Sequence, residues 1–336
     1  MIKYYKIMFF ITLVTGTLIA ISSYSWMMMW IGLEINLLSM IPLLSDPQNI
    51  YPSESALKYF ITQALASVIF LFSIIMNLNL TEIFPQNSVF MIMMNSALLT
   101  KMGAAPFHAW FPEVMEGLNW FNCLIMLTWQ KIAPMILLMY NLKMTMFLFC
   151  IIIFSSILGS ILGLNQISMR KILTYSSINH ISWMIASMLN FQSTWLIYFL
   201  IYSIINLNII LILKLKNIYF LKQFNNTLNI DKTFKFLLIL NFLSLGGLPP
   251  FLGFLPKWLT INNLILNNFF LLSILLIIFT LITLFFYLRL TFSTMLINTN
   301  EILVILENKK INFFIIFFNL LTLSGLLTCT MIFNLN

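Results

Sequence analysis

The sequence has 336 residues, of which 61% are hydrophobic and 8% are charged, and its mean hydropathy is +1.00. A soluble domain carries about 25% charged residues, so this chain lacks the side chains that would cover a soluble globule, and its surface must face lipid. The formal net charge of +8 does not indicate nucleic-acid binding, because the basic residues are scattered through short loops without interleaved aromatic residues.

Long apolar runs predict an all-α, polytopic membrane protein, because one crossing takes about 20 mostly apolar residues. The alternating pattern of a membrane β-barrel is absent. The first apolar run follows two lysines and resembles a signal peptide, but no clear cleavage site is present, so we interpret it as the first helix. The eleven predicted spans are Tyr5–Ser22, Ser25–Leu44, Ser55–Leu78, Ser88–Ala105, Trp120–Tyr140, Thr145–Leu164, Ile172–Leu189, Thr194–Leu213, Phe234–Leu248, Phe269–Leu290 and Ile311–Phe333.

The loops on the two sides of these spans differ in positive charge. Lys143 is the one basic loop residue on one side, and thirteen lie on the other. One missed span would scramble this division, so the count supports the helix map and predicts that the N-terminus faces the positive compartment and the C-terminus the opposite one. The thirteen are Lys3, Lys6, Lys58, Arg170, Lys171, Lys214, Lys216, Lys222, Lys232, Lys235, Arg289, Lys309 and Lys310.

A weak internal repeat interrupts two of the spans. The pattern Pro-Phe-x-x-aromatic-x-Pro occurs at 106–112 and again at 250–256, each time after small residues. The interrupted spans, the fourth and the ninth, start on opposite sides of the membrane. Matching interruptions in two halves of a chain are typical of inverted repeats with broken helices that line a polar cavity. An ordinary proline kink in each copy is the alternative.

The repeat predicts a single antiporter-like transmembrane domain over the whole chain, with two broken helices. Its predicted parts are a first repeat at about 1–142, a second at about 143–290 and a C-terminal helix at about 311–333.

Four charged residues fall inside apolar spans: Glu34, Lys101, Lys131 and Lys257. A charge at the bilayer centre costs about 2.5–3.5 kcal/mol even on a lenient insertion scale, so we expect these side chains to face the bundle interior and to act there. Glu34 is the one acid among them, which makes it the predicted ion-pair partner of Lys101. The alternatives are lysine side chains that extend to the interface and a purely structural ion pair.

His108 and His180 are the two histidines of the chain. His180 lies in a polar stretch of an apolar span, and His108 lies in the first broken motif. Because imidazole can pass a proton from one ring nitrogen to the other, we interpret both as candidate members of a proton relay. A buried histidine bonded to a carbonyl is the alternative. The three cysteines lie too far apart for a disulfide framework or a Cys-x-x-Cys metal site, and no nucleotide-binding loop is present.

Several motifs, in order and over almost the whole chain, resemble the antiporter-like membrane subunits of mitochondrial respiratory complex I, NADH:ubiquinone oxidoreductase. They are WIGLEIN at 30–36, KMGAAPFH at 101–108, LNQ at 164–166 followed by RK at 170–171 and YSSINH at 175–180, and GGLPPF at 246–251. The resemblance implies a Glu34–Lys101 pair in the first half-channel, a central lysine at Lys131, and Lys257 in the second broken helix. The length resembles the short animal form, and the composition is insect-like.

The resemblance also implies a function and a setting. Protons would pass along a relay of Glu34, Lys101, Lys131, Lys257 and the two histidines, coupled to electron transfer from NADH to ubiquinone in other subunits. We expect no cofactor in this chain, because NADH, FMN, the iron–sulfur clusters and ubiquinone belong to partner subunits. The expected partners are other membrane and accessory subunits and the lipid bilayer of the mitochondrial inner membrane, with cardiolipin as a candidate lipid. An independent cation/proton antiporter and a structural spacer subunit are the alternative functions.

Overall fold

The computed structural model describes residues 4–46, 49–80, 88–189, 191–224, 232–296, 317–320, 322–326 and 330. Nearly all of these residues are α-helical, and the β-structure among them is an isolated antiparallel bridge between Ser168 and Phe220. The predicted all-α class is confirmed.

The helices follow the predicted spans closely. Their bounds are α1 Tyr4–Ser22, α2 Trp26–Leu44, α3 Ile50–Leu80, α4 Ser88–Met102, α5 Trp110–Gly117, α6 Trp120–Leu127, α7 Trp129–Met139, α8 Thr145–Gly163, α9 Met169–Met188, α10 Gln192–Leu215, α11 Lys232–Gly246, α12 Phe254–Leu266 and α13 Phe270–Leu296.

Within the described residues, seven segments are long and apolar enough to cross a membrane, and they belong to α1, α2, α3, α6 with α7, α8, α10 and α13. Three of the remaining predicted spans are too short or too polar to be counted among these seven segments. Helices α4 and α11 are the short first halves of the two broken helices, and α9 has the length of a span but many polar residues. Most of the predicted span Ile311–Phe333 lies outside the described residues, as do Lys3, Lys309 and Lys310. The total of eleven crossings stays a prediction.

The chain divides into two compact units, residues 1–155 and 156–336, with the division inside α8. In the first unit α1 packs along α2, which contacts α3, and α3 in turn contacts α4 and α5. Small residues allow the closest approach, because a Cβ atom at Gly32 would lie 2.5 Å from the backbone nitrogen of Ala20. This packing fixes the α2 turn that carries Glu34.

In the second unit α9 lies inside the helix packing, in contact with α10, α12 and α13. Its buried residues include Ser176, Ser177, Asn179 and His180. A polar helix of this kind is stable inside a membrane protein only where neighbouring helices supply hydrogen-bond partners. The close approach of α8 contributes, because a Cβ atom at Gly159 would lie 2.8 Å from the backbone nitrogen of Asn179.

One predicted span is not continuous. The run Trp120–Tyr140 is interrupted at Thr128, where α6 ends and α7 begins. Pro134 follows within α7, and because proline has no N–H group, the carbonyl of Gln130 lacks its ordinary helical donor. The interruption therefore lies just before Lys131, one of the predicted relay residues.

Candidate functional site

The first helix break follows Lys101 and ends α4. Gly103 adopts a positive φ of 75°. Its N–H donates to the carbonyl of Thr100 (3.2 Å), and the N–H of Ala104 donates to the carbonyl of Leu99 (3.1 Å). This pair of bonds is the Schellman arrangement, which closes a helix through a left-handed residue, usually glycine. The predicted interruption of the fourth span is confirmed at this position.

Two further groups reach the carbonyls at the end of α4. The indole N–H of Trp110 donates to the carbonyl of Thr100 at 3.0 Å, and the side-chain amide of Gln63 donates to the carbonyl of Lys101 at 3.5 Å. Carbonyls released by a helix break need partners inside a membrane protein. Here neutral donors from α3 and α5 provide them.

The Lys101 side chain lines a small cavity in the first unit. It is 7% exposed, and polar groups from α2, α3 and α7 surround it. The hydroxyl of Tyr59 donates to Gln130 Oε1 (3.3 Å), and the Gln130 amide donates to Asn36 Oδ1 (2.9 Å). The cavity leaves about 10 Å³ for the centre of a water molecule, close to what one ordered water needs. The lining residues are Leu33, Asn36, Leu37, Tyr59, Gln63, Lys101, Gln130 and Pro134.

Glu34 lies on the same α2 turn as this lining but is only half-buried. Its carboxylate interacts electrostatically with Lys101. Lys58 forms ion pairs with Glu54 and Glu113 within 4.0 Å, whereas Glu34 and Lys101 form no such pair with each other. The predicted Glu34–Lys101 pair is therefore an interaction through space in this structure, without a direct contact.

Lys131 follows Gln130 on α7 and is the most deeply buried of the four charged residues, at 1% exposure. Its Nζ lies 5.6 Å from the centroid of the Phe111 ring. Phe111 belongs to α5, directly after the first break. Gln130 lines the cavity together with Lys101, and the next residue, Lys131, lies near the Phe111 ring.

The second break, in the second unit, has the backbone geometry of the first. Gly247 has a positive φ of 79°. Its N–H donates to the carbonyl of Ser244 (3.0 Å), and the N–H of Leu248 donates to the carbonyl of Leu243 (3.4 Å). The predicted interruption of the ninth span is confirmed here.

Lys257, on α12, binds the end of the broken helix α11. Its Nζ donates to the carbonyls of Gly246 (2.8 Å) and Leu245 (3.2 Å) and lies 6.0 Å from the centroid of the Trp183 ring. The side chain is 7% exposed. Because the carbonyl end of a helix carries a partial negative charge, it favours a cation at this place.

His180 lies beside the same break. It is 6% exposed, and its Nδ1 shares a hydrogen bond of 2.9 Å with the hydroxyl of Tyr198. The ring of Tyr202 lies 5.1 Å from the imidazole. A second small cavity connects these groups to the residues around Lys257. It is lined by His180, Tyr198, Ile201, Tyr202, Ile205, Ser244, Leu245, Gly253 and Pro256.

His108 is placed differently from the other candidates. It lies in the connection between α4 and α5, is half-buried, and does not line the cavity around Lys101. Its backbone carbonyl accepts the N–H of Phe111 at 3.0 Å, which starts α5. In this structure His108 shapes the break through its backbone, and its role in proton transfer stays a prediction.

Several polar residues of the two cavities were not among the sequence candidates. They are Asn36, Tyr59, Gln63, Gln130, Tyr198 and Tyr202. Each is a neutral polar residue inside an apolar span, a signal that a search for charges alone overlooks. Across the described residues, no group of three or more His, Cys, Asp or Glu side chains could hold a metal ion.

The family model of the NADH:quinone oxidoreductase/Mrp antiporter transmembrane proteins matches residues 23–283. The chain belongs to this family. Within it, a relative from Anopheles gambiae is 48% identical over 97% of both chains, and one from Aedes aegypti is 49% identical over 97% of both chains. A Mus musculus relative is 41% identical over 85% of both chains. All three relatives are named NADH-ubiquinone oxidoreductase chain 2, so the resemblance drawn from the motifs is confirmed.

Solved structures share the antiporter-like fold of the family. A chain of respiratory complex I from Thermus thermophilus with bound aureothin has a TM-score of 0.85 at 22% identity, covering 97% of this chain and 79% of that one. A chain of the Mrp complex from a Dietzia species has a TM-score of 0.73 at 13% identity, covering 83% of this chain and 58% of that one. At these identities the likeness establishes the fold alone.

Proposed function

We propose that the chain is a proton-conducting membrane subunit of NADH:ubiquinone oxidoreductase. The observation that supports this most directly is the buried Lys101 amine, which faces a cavity of polar side chains at the end of a broken helix within electrostatic reach of Glu34. The names of relatives that match almost the full length of the chain support the assignment to this complex. NADH oxidation, ubiquinone reduction and their cofactors belong to partner subunits.

In the first unit, the proposed proton carriers are Lys101 and Lys131, with Glu34 as the controlling charge. A carboxylate near Lys101 favours its ammonium form, and weakening that interaction releases the proton toward Gln130 and Lys131. Moving one charge against about 100 mV takes about 2.3 kcal/mol. Breaking a buried ion pair in direct contact costs about 3–5 kcal/mol, and the contribution of Glu34 is smaller than this, because its carboxylate is half-buried and makes no direct contact with Lys101.

In the second unit, Lys257 and His180 are the proposed carriers. Tyr198 shares a hydrogen bond with His180 Nδ1, so the hydroxyl can accept a proton from the imidazole or donate one to it. The cavity beside them ends at Leu245, whose carbonyl accepts from the Lys257 ammonium. His180 and Tyr198 can exchange a proton directly, whereas transfer between this pair and Lys257 would require water in the cavity, because a backbone carbonyl accepts a hydrogen bond but does not carry a proton.

We place the chain in the mitochondrial inner membrane with the N-terminus on the matrix side and the C-terminus on the intermembrane-space side. The thirteen basic loop residues on the N-terminal side support this orientation. Protection of N-terminal lysines from a membrane-impermeant amine reagent that is added only to the intermembrane-space side tests it. Modification of those lysines under these conditions contradicts it.

Replacing Lys101 tests the proposed function. In the assembled complex, Lys101→Met should lower coupled turnover by at least about tenfold, because a positioned proton-transfer group contributes on the order of a hundredfold or more. The number of protons moved per electron should fall as well. Lys143→Met, at an exposed lysine, is the control and should behave as the unmodified complex. Unchanged proton stoichiometry in an assembled Lys101→Met complex would make the chain a structural spacer.

An independent cation/proton antiporter is the second candidate, since the family includes Mrp antiporters and the fold is shared with an Mrp complex. Cation-dependent proton transport by the purified chain in liposomes would favour this function over the first.

A further inference from the structure

The first half of each broken helix carries one asparagine that the proposed relay does not use. Asn95 lies in α4 before Gly103, and Asn241 lies in α11 before Gly247. In both cases the asparagine precedes the glycine of the break by about two helical turns. Both side chains are fully buried, at 0% exposure. A buried amide in a membrane protein needs partners from the protein itself, so the contacts of these amides show what holds each half-helix.

In the first unit, Asn95 pairs with Asn141, which follows α7. The Asn141 side-chain amide donates to Asn95 Oδ1 at 2.9 Å, and the Asn95 amide donates to the backbone carbonyl of Asn141 at 3.1 Å. The Asn141 amide also donates to the carbonyl of Met91, one turn earlier on α4, at 3.4 Å. Asn141 is 0% exposed as well. Helix α4, which carries Lys101, is thus attached to the end of α7, which carries Lys131.

In the second unit, Asn241 pairs with Asn319 of the C-terminal segment, which comprises the helical residues 317–320 and 322–326. The Asn241 side-chain amide donates to Asn319 Oδ1, and Asn319 is also 0% exposed. The carbonyl of Asn241 accepts the hydroxyl of Ser244 at 2.7 Å. Because the carbonyl of Ser244 accepts one of the two hydrogen bonds that close the second break, the asparagine pair lies next to the break.

Two further contacts hold the C-terminal segment in place. The Asn208 amide of α10 donates to the Thr322 hydroxyl at 3.0 Å. Gly325 lies so close to Leu252, directly after the second break, that a Cβ atom at Gly325 would collide with the Leu252 side chain. The segment therefore contacts both α10 and α11, two helices that line the second cavity. Of these, α11 also ends at the carbonyls that bind Lys257.

We propose that the two asparagine pairs, Asn95–Asn141 and Asn241–Asn319, are positioning residues that hold the two broken helices in place for proton transfer. Helices in a membrane pack against each other and against lipid with similar free energy, so apolar contacts specify the rotation and depth of a half-helix poorly. A hydrogen bond between two amides requires a defined distance and direction. The inference rests on the proposed proton conduction, because the pairs act through Lys101 and Lys257.

The two pairs do not occupy equivalent positions of the sequence repeat. When 106–112 is aligned with 250–256, Asn241 corresponds to Ala97, and Asn95 corresponds to Ile239. The partners also come from different elements, the end of α7 in one unit and the C-terminal segment in the other. A pair that was only a remnant of the repeat would recur at the same position, so the two pairs meet the same physical need separately.

The test removes the partner that lies outside each broken helix. In the assembled complex, Asn141→Leu and Asn319→Leu should each lower coupled turnover at least about threefold and lower the number of protons moved per electron, because a misplaced proton carrier transfers slowly. Asn122→Leu is the matched control. The Asn122 amide donates to the carbonyl of Leu43 at 3.0 Å, so this variant also loses a buried interhelical hydrogen bond. Neither α2 nor α6 is a broken half-helix of the repeat, and proton stoichiometry should stay unchanged.

A double variant separates positioning from stability. Leaving one buried amide without its partner costs more than replacing both partners by apolar side chains. Asn241→Leu/Asn319→Leu should therefore recover the amount of assembled complex that Asn319→Leu loses, while its proton stoichiometry stays low, because two leucines do not fix the rotation of α11. Recovery of normal proton stoichiometry together with assembly overturns the proposal. Proton stoichiometry in Asn141→Leu and Asn319→Leu equal to that of Asn122→Leu overturns it as well.

The proposed function fails by a different result. Unchanged proton stoichiometry in Lys101→Met contradicts proton conduction by this chain. Lowered stoichiometry in Lys101→Met, combined with unchanged stoichiometry in both single asparagine variants, contradicts only the positioning role of the pairs.

Discussion

At the first helix break and at the second, the backbone takes the same path but the next charged residue differs. Gly103 and Gly247 both have a positive φ, and each break is closed by hydrogen bonds from the glycine to the third residue before it and from the following residue to the fifth before it. In the repeat, Lys257 corresponds to Glu113, 144 positions earlier. Lys257 binds the carbonyl end of α11, whereas Glu113 points to Lys58 with an Oε–Nζ distance of 3.1 Å.

At the first break, the buried cation comes before the break in the sequence and not after it. Lys101 lies in the last turn of α4 itself, and the freed carbonyls accept from the neutral donors Trp110 and Gln63. Both units therefore bring a buried lysine to the end of a broken helix, where the helix dipole favours a positive charge. The comparison shows that each unit has a buried lysine at the end of its broken helix, but that Lys101 and Lys257 do not occupy equivalent positions of the sequence repeat.

The largest effect should come from Lys257, and two variants separate its possible roles. Lys257→Met should lower coupled turnover by at least about tenfold, because it removes a proton carrier. Lys257→Arg keeps a cation at the end of α11 but cannot release its proton, so it should restore assembly and thermal stability without restoring proton pumping. Full proton pumping by Lys257→Arg would mean that Lys257 serves only to cap the helix.

A smaller effect should follow from Gly247→Ala. A left-handed backbone costs a residue with a Cβ atom about 1–2 kcal/mol, and this Cβ would lie 2.8 Å from Lys257 Cδ, so the lysine must shift. We expect a lower melting temperature of the complex and a several-fold loss of coupled turnover. The neighbouring Gly246→Ala is the control, because its Cβ would meet Leu284 at an ordinary 3.6 Å. Equal results for the two variants would contradict this account of the break.

The smallest effect should come from Glu113→Gln. The Glu113 and Lys58 side chains are 60% and 43% exposed, and exposed ion pairs contribute little to stability. We expect coupled turnover to change by less than about twofold, measured beside Lys257→Met in the same membranes. A loss of coupled turnover as large as that of Lys257→Met would show that Glu113 and Lys257 have the same role. It would contradict the difference described between the two breaks.

The sequence located the residues of the two glycine-marked breaks and the three buried lysines because both depend on local features. A glycine in a group of small residues and a proline a few positions later predict a helix end without knowledge of the partner helices. The interruption at Thr128 escaped this reasoning. The apolar run Trp120–Tyr140 looks continuous, since no glycine marks the position where α6 ends.

The side-chain partners could not be predicted in the same way. The Tyr59–Gln130 and Gln130–Asn36 bonds join residues 71 and 94 positions apart. Glu34 was predicted to pair with Lys101, and the structure places the two within electrostatic reach but without a direct ion pair. Such distances depend on helix rotation and packing, which a single sequence does not specify.

By itself, the sequence determined that this protein spans the membrane and where the two glycine-marked helix breaks lie. The reason is that lipid offers no hydrogen bonds, so apolar length and local backbone bonding leave few choices for each segment. Only the tertiary structure decided which groups surround each buried lysine, the polar cavity at Lys101 and the helix end at Lys257. Those surroundings come from side chains on separate helices, and their meeting is a result of packing.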